Sequence, residues 1–235
     1  MLSRTANSVY WMTRYIERAE NVARFIDVNL RLLLDLPNVT TQHWEALVKT
    51  TNDINLYRER YDQTDQKNII HFLTFDLENP NSILSTVRTT RENARSVREI
   101  ISTEMWEQVN TFYLMLKDTS NHEKAFSAPH AFFSQIKKEC YLFYGIMHST
   151  MSHGEAWHFS DLGRYLERAD KTARILDVHY FLPRESQQPE FSHFPYDDTQ
   201  WLAILQSLSA LDIYRKQHYP KIITERIYDL IILNP

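Results

Sequence analysis

The chain has 235 residues, 43% of them apolar, and a net charge of −4, which suits a folded protein with a real core and lacks the basic excess that non-specific nucleic-acid binding requires. Its three glycines, Gly145, Gly154 and Gly163, fall far below the roughly 7% usual in proteins, whereas sheet-rich folds draw on glycine for hairpin turns and bulges. A lone cysteine excludes an internal disulfide, no apolar run approaches the roughly 18 residues of a membrane span, and residues 1–15 hold no apolar core of signal-peptide length. The expectation is a cytoplasmic, all-α helical bundle with neither nucleic acid nor membrane among its partners.

From 7 to 36 the apolar residues Met12, Tyr15, Ile16, Ala19, Val22, Ala23, Ile26, Leu30 and Leu33 recur at spacings of three and four, which predicts a helix stopped by Pro37 and Asn38. A second helix is predicted over 41–60 and a third over 64–75, each entered through a threonine, Thr41 or Thr64, able to cap free N–H groups. After a turn at 79–82, Ser82 caps a helical stretch to 117, which is either one helix or two, Ser102 and Thr103 being the place where a break and a new cap would fall. Pro129 suits the first position of a helix running to 151, whose stripe of Phe133, Ile136, Cys140, Phe143 and Met147 makes Cys140 a buried, inert thiol. Gly154 separates that helix from one over 155–182, and the proline-bearing stretch 183–197 reads as the longest loop. Asp198 or Thr199 then caps a helix through 214. The last apolar-rich helical pattern, 222–233, stops at Asn234-Pro235, where either the natural chain ends abruptly or a C-terminal portion is absent.

Comparison of the chain with itself carries the most information. The segment 13–29 returns 150 positions later as 163–179, identical at nine of seventeen places, and the matches include Arg14/Arg164, Glu17/Glu167, Arg18/Arg168, Arg24/Arg174 and Asp27/Asp177. At 100° per residue, Arg14, Glu17, Arg18, Asn21 and Arg24 lie opposite the apolar stripe, as do their counterparts in the second copy. A solvated face laced by Arg14 with Glu17, Glu20 with Arg24 and Asp27 with Arg31 would explain such charges, each pair contributing about 0.2–0.5 kcal/mol. Surface pairs are interchangeable, however, and have little reason to recur at matching places, which favours a shared polar interior or pocket. Arg88, Arg91, Arg95 and Arg98 form a further basic arc with Glu92 and Glu99 beside it.

Glu17-Arg18-Ala19-Glu20-Asn21, the segment from Arg91 to Arg95 with Trp106 after it, and the segment from Gly163 to Asp170 together resemble the bacterial Alpha-E family over essentially the whole chain. The resemblance implies one all-helical domain over 1–235. It also implies an association, drawn from gene neighbourhoods, with ATP-grasp-like ligases and transglutaminase-like proteins. Members of the family resemble one another beyond the point where this chain stops, which favours a missing C-terminal portion.

With three scattered glycines there is no phosphate-cradling loop, so no nucleotide cofactor is expected, and neither His-Glu-x-x-His nor Gly-x-Ser-x-Gly occurs. Glu155 and His158 have the Glu-x-x-His spacing of a di-iron bundle, but the second such pair, Glu190 and His193, falls in the proline-bearing loop, so no metal site is expected. The residues point to a helical binding or scaffold module for a peptide-like or carboxylate-bearing ligand. In that reading Arg14, Arg18, Arg164 and Arg168 would hold carboxylates in forked hydrogen bonds, with Glu17 and Glu167 orienting them and Asn21, Arg91, Arg95 and Arg98 completing the candidate set. Two alternatives stay open: an enzyme using Glu17 or Glu167 as general base, and a purely structural role for the charges.

Overall fold

The computed structural model describes residues 1–35, 41–181, 195–218 and 221–233. Among these the regular elements are all helical: α1 Ser3–Asp35, α2 Thr41–Thr51, α3 Ile54–Arg60, α4 Gln66–Thr74, α5 Ile83–Ser96, α6 Thr103–Lys117, α7 Thr119–Ser127, α8 Pro129–Thr150, α9 Glu155–Phe181, α10 Pro195–Ser207, α11 Leu211–His218 and α12 Thr224–Tyr228, then a π-helical turn over Asp229–Leu233. The fold is all-α, as the glycine poverty and the three-and-four periodicity predict. No helix among the described residues is long and apolar enough to cross a membrane.

α1 is the hub, with α9, α5 and α8 packed along it. Val9, Met12, Ile16, Ala19, Ala23 and Ile26 of its apolar stripe are wholly buried in a core shared with Leu47, Phe72, Val87, Phe112, Phe133 and Phe143. The side predicted to be polar is buried as well, at Glu17, Glu20 and Asp27. A helix enclosed in this way has to pair its charges, because an isolated ion away from water is prohibitively costly.

α9 runs alongside α1 in the same direction: Thr13 donates its hydroxyl to the Ser160 carbonyl at 2.7 Å, and five residues on Arg18 reaches Glu167. The helices meet at Gly163, where a Cβ would lie 2.3 Å from the Tyr10 carbonyl oxygen and 2.6 Å from Thr13 Oγ1. Thr13 and Gly163 are matching places of the repeated segment, so one copy supplies a side chain and the other leaves the room for it. A second, smaller core gathers Ile175 of α9 with Trp201, Leu205, Tyr214 and Ile227, and Phe25 of α1 packs against both cores.

Several boundaries differ from the sequence reading, each for a local reason. The helix predicted over 41–60 is two, broken at Asn52 with φ 65°, and the one predicted through 214 is broken at Ser209 with φ 59°. A left-handed residue ends a helix, and neither break carries the glycine that usually marks one. The two breaks sit at matching places, eight residues after Trp44 and Trp201 and five before the buried Tyr57 and Tyr214. Asp65, not Thr64, caps α4 by accepting from the Asn68 N–H. α10 begins at Pro195, a good first-turn residue, which places Asp198 and Thr199 inside it instead of at its cap. α7 has no counterpart in the sequence reading; Asp118 caps it. Ser82 caps α5 as expected, and Ser102 caps α6, so the stretch to 117 is two helices, the alternative that the sequence left open. The predicted stop at Pro37-Asn38, most of the 183–197 loop and the Asn234-Pro235 end lie outside the described residues.

Candidate functional site

Residues three before and one after a helical glutamate share its side of the helix, so each copy of the motif presents a carboxylate flanked by two guanidiniums. The sequence offers Arg14 the carboxylate on its own helix. Instead each glutamate is taken by the arginines of the opposite helix. Arg18 grips Glu167 as a fork, Nε to Oε1 at 2.7 Å and Nη2 to Oε2 at 2.9 Å, while Arg14 adds Nε to Oε2 at 2.9 Å. Reciprocally, Arg168 donates Nε to Glu17 Oε1 at 2.8 Å, and Arg164 Nε stands 3.7 Å from Glu17 Oε2. Both carboxylates lie between the helices with at most 1% exposure.

The two ends of this exchange are not equally satisfied. At Glu167 both oxygens accept hydrogen bonds, and Lys171 adds positive charge 3.9 Å away. Burial pushes the Glu167 pKa upward, but the bonds and charge of Arg18, with Lys171 and Arg14, outweigh it and hold the carboxyl below the usual glutamate range. Burial likewise works against the charge of Arg14, Arg18 and Arg168, and their glutamates more than offset it, so all three guanidiniums are held above the ordinary value. Burial lowers the Lys171 pKa. At the other end, Glu17 Oε2 and Arg164 Nε are both buried without a hydrogen-bond partner. Arg164 rests on the Tyr144 ring, 4.1 Å from its centroid, and Tyr144 donates its hydroxyl to the Thr13 carbonyl at 3.2 Å. Burial, then the negative charge of Glu17, pushes the Tyr144 hydroxyl well above its ordinary pKa.

Supporting groups that the sequence did not single out fix the arginines. Arg18 donates Nη1 to Asn81 Oδ1 at 2.7 Å, and Asn81 donates Nδ2 to Asp53 Oδ1 at 2.8 Å, tying the exchange to the turn before α5. Tyr10 and Trp11 lie 5.7 and 5.0 Å from the Arg14 guanidinium. Nothing in the sequence marks Asn81, whose role comes from a turn 63 residues away from Arg18. Farther along α1, Glu20 pairs with Arg24 as expected, yet it is buried and also accepts from Tyr141 of α8. Asp27 is held by Lys137 and His130 of α8 as well as by Arg31.

The remaining candidates stand apart. Asn21 donates Nδ2 to the Glu17 carbonyl at 2.8 Å within its own helix. Arg91 donates to Asn110 Oδ1 at 2.8 Å between the rings of Trp106 and Tyr113, Arg95 is exposed beside Glu92, and Arg98 falls beyond the end of α5 over Trp106. This is a separate surface cluster. Glu155 pairs with the Met1 amine, His158 is exposed, and among the described residues no three His, Cys, Asp or Glu side chains converge as a metal would need. Burial raises the Cys140 thiol well above its ordinary pKa, which fits an inert core residue.

An all-helical bundle clasped by reciprocal Glu-Arg pairing between two like helices is the class that fold and site define. The chain belongs to the Alpha-E family, described as a predicted alpha-helical domain with a conserved ER motif, which it matches over residues 1–235. It is also similar to uncharacterized proteins of Mycobacterium bovis and of Mycobacterium tuberculosis strain CDC 1551, each 25% identical over 183 residues, and to one of Mycobacterium tuberculosis strain H37Rv at 24%. Those alignments cover 70% of this chain and 21% of the relative, so the chain spans about a fifth of the length of the curated proteins it matches. No solved structure matches it.

Proposed function

We propose that residues 1–235 form a helical binding or scaffold module in a system that makes or breaks amide bonds, beside an ATP-grasp-like ligase and a transglutaminase-like protein. The partner classes come from the family resemblance. The module reading is supported by one observation: the motif's carboxylates and guanidiniums are spent on each other across α1 and α9. A ligand carboxylate would have to displace Glu167 from a fork that already fits it, at the cost of burying that charge unpaired. The motif therefore acts as a clasp that presents the outer helix surfaces to a partner.

A specific observation favours a second reading, enzymatic and centred on Glu17. Its Oε2 is the buried carboxylate oxygen of the exchange left without a hydrogen bond, whereas Glu167 is saturated and held ionised. The two readings part when the chain is incubated with the ligase-like partner, ATP and a pool of amino acids. The module reading expects amide formation only with both proteins present, and expects Glu17→Gln to retain it. Turnover by this chain alone, abolished by Glu17→Gln, would replace the module with the enzyme.

A further inference from the structure

An apolar stripe that runs through the repeated segment and extends back before it, to residues 9 and 159, is treated in opposite ways in its two copies. On α1, Val9, Met12, Ile16, Ala19 and Ala23 fall within an arc of about 80° and are all 0% exposed. The matching places on α9 are Phe159, Leu162, Leu166, Ala169 and Ala173, again apolar throughout and at the same spacing. Here the stripe lies open: Phe159 is 38% exposed, Leu162 48% and Leu166 46%, and both alanines are exposed. Scattered exposed leucines need no explanation, but a continuous stripe of this kind marks an interaction surface.

The molecule also holds a template for what covers such a stripe. On α1 it is closed by α5 and α8, the helices packed most extensively there besides α9. α5 turns an unusual face to the core. Along with Ile83, Leu84, Val87 and Ala94 it buries Ser85, Thr86 and Thr90, whose hydroxyls bond to backbone carbonyls and so need nothing from α1. Small hydroxyl and alanine positions let two backbones approach closely. The lead-in to α5 adds a polar tie, the acceptance of the Arg18 guanidinium by Asn81. The counterpart of Arg18 is Arg168, bonded through Nε to Glu17 and with its side chain 51% exposed.

We propose that the outer face of α9 is a docking site for an amphipathic helix of the α5 kind, supplied from outside residues 1–235. The docking helix carries an Asn-Ser lead-in whose asparagine takes the Arg168 guanidinium, and a buried side of branched apolar, threonine and alanine residues that covers Phe159, Leu162, Leu166, Ala169 and Ala173. This deepens the module reading above by naming the surface and the chemistry of what it holds.

The probe is α5 itself. A labelled peptide of residues 79–96 is titrated with the chain, and in parallel residues 81–96 are joined behind Pro235, because Asn234-Pro235 repeats the Asn79-Pro80 pair that precedes them. Joining them raises the effective concentration of a segment too short to be a stable helix alone. Saturable one-to-one binding, or a rise in melting temperature in the joined form, is expected. Leu166→Asp should weaken it at least about tenfold, as the loss of one buried leucine anchor would, and Asn81→Ala in the peptide should weaken it several-fold. Leu166 is half-exposed, so the variant should keep the parent melting temperature, and Leu162→Asp is the second variant. Absence of docking in both forms, or docking indifferent to Leu166→Asp and Leu162→Asp, would overturn the proposal. So would self-association of the chain that Leu166→Asp abolishes, which would assign the face to a second copy. Partner-dependent turnover, the measurement that decides the module reading, stands apart from all of these results.

Discussion

α1 and α9 share a motif and a direction but occupy different worlds. α1 is enclosed on nearly every side, and each of its carboxylates at 17, 20 and 27 is buried against cations from α8, α9 or its own next turn. α9 is enclosed on one side only, along Ser160, Gly163, Glu167, Lys171 and Ile175, and its apolar stripe faces outward. The clasp between them inherits this asymmetry. The carboxylate on the half-open helix is saturated by arginines of the enclosed one, whereas the carboxylate on the enclosed helix receives one close bond and one guanidinium at 3.7 Å. A repeated sequence thus specifies a pairing, and the neighbours decide how tightly each end of it closes.

The largest effect expected from breaking the clasp is at its saturated end. Glu167→Ala leaves Arg14, Arg18 and Lys171 facing one another in a space with little water, and removal of one partner of a buried pair typically costs about 3–5 kcal/mol. Denaturant unfolding measures it; a loss under about 1 kcal/mol would return the pair to the class of exposed ion pairs. Acid provides a second reading of the same contact. Because the folded-state pKa of Glu167 lies below its ordinary value of 4.5, its contribution is fully present above that pH and is lost as pH falls through the lower, folded value. Glu20 acts in the opposite sense, its pKa raised by burial despite Arg24, so protonating it favours the folded state. Stability that held level below pH 4.5 in the parent chain, with no difference from Glu167→Gln, would contradict this assignment.

The apolar stripes sharpen the comparison further. Ile16→Ala should cost about 2–5 kcal/mol, the range for a buried large-to-small change. At the matching place Leu166→Ala should change stability by no more than about 0.5 kcal/mol. Equal costs in thermal or denaturant unfolding would mean that the outer face of α9 is closed in solution by the chain itself.

Much of this was legible in the residues, and the illegible part has a common cause. Periodicity placed most of the helices, α7 excepted, Ser82 and Pro129 announced two starts, and Ser102 marked where a third could fall, because caps and first-turn prolines act within a few residues. The recurrence of Arg14, Glu17 and Arg18 at 164, 167 and 168 singled out the residues that meet. What the sequence leaves undetermined is the direction of the pairing: Arg14 has Glu17 within helical reach, and only the approach of α9 at Gly163 brings Glu167 into the better geometry. The breaks at Asn52 and Ser209 were hidden because no glycine marks them. The open face of α9 was hidden because its apolar spacing is the same as that of the covered one.

Gly163 itself provides a test of smaller size. Gly163→Ala places a methyl group against the Tyr10 carbonyl, so the helices must part, and forced overpacking typically costs about 1–3 kcal/mol. Helix propensity alone would make the change stabilising by roughly 0.8–1.0 kcal/mol, so a stabilised variant would show that the crossing is looser than described.

Among the charged residues of the clasp, the smaller effect should come from the outer arginine. Arg18 makes two hydrogen bonds to Glu167 and one to Asn81 and is mostly buried, so Arg18→Ala belongs with the buried pairs at about 3 kcal/mol. Its counterpart Arg168 makes one bond to Glu17 from a half-exposed position, where water can take over its place on the carboxylate. Arg168→Ala should therefore cost about 1 kcal/mol, near the upper limit for exposed pairs. Salt separates the two as well, since ions screen an accessible charge and leave an enclosed one largely untouched. Raising ionic strength should erase most of the difference between the Arg168→Ala variant and the parent while preserving that between Arg18→Ala and the parent. If both variants lose the same stability with the same salt dependence, the two ends of the clasp are equally closed, and the contrast between α1 and α9 does not hold.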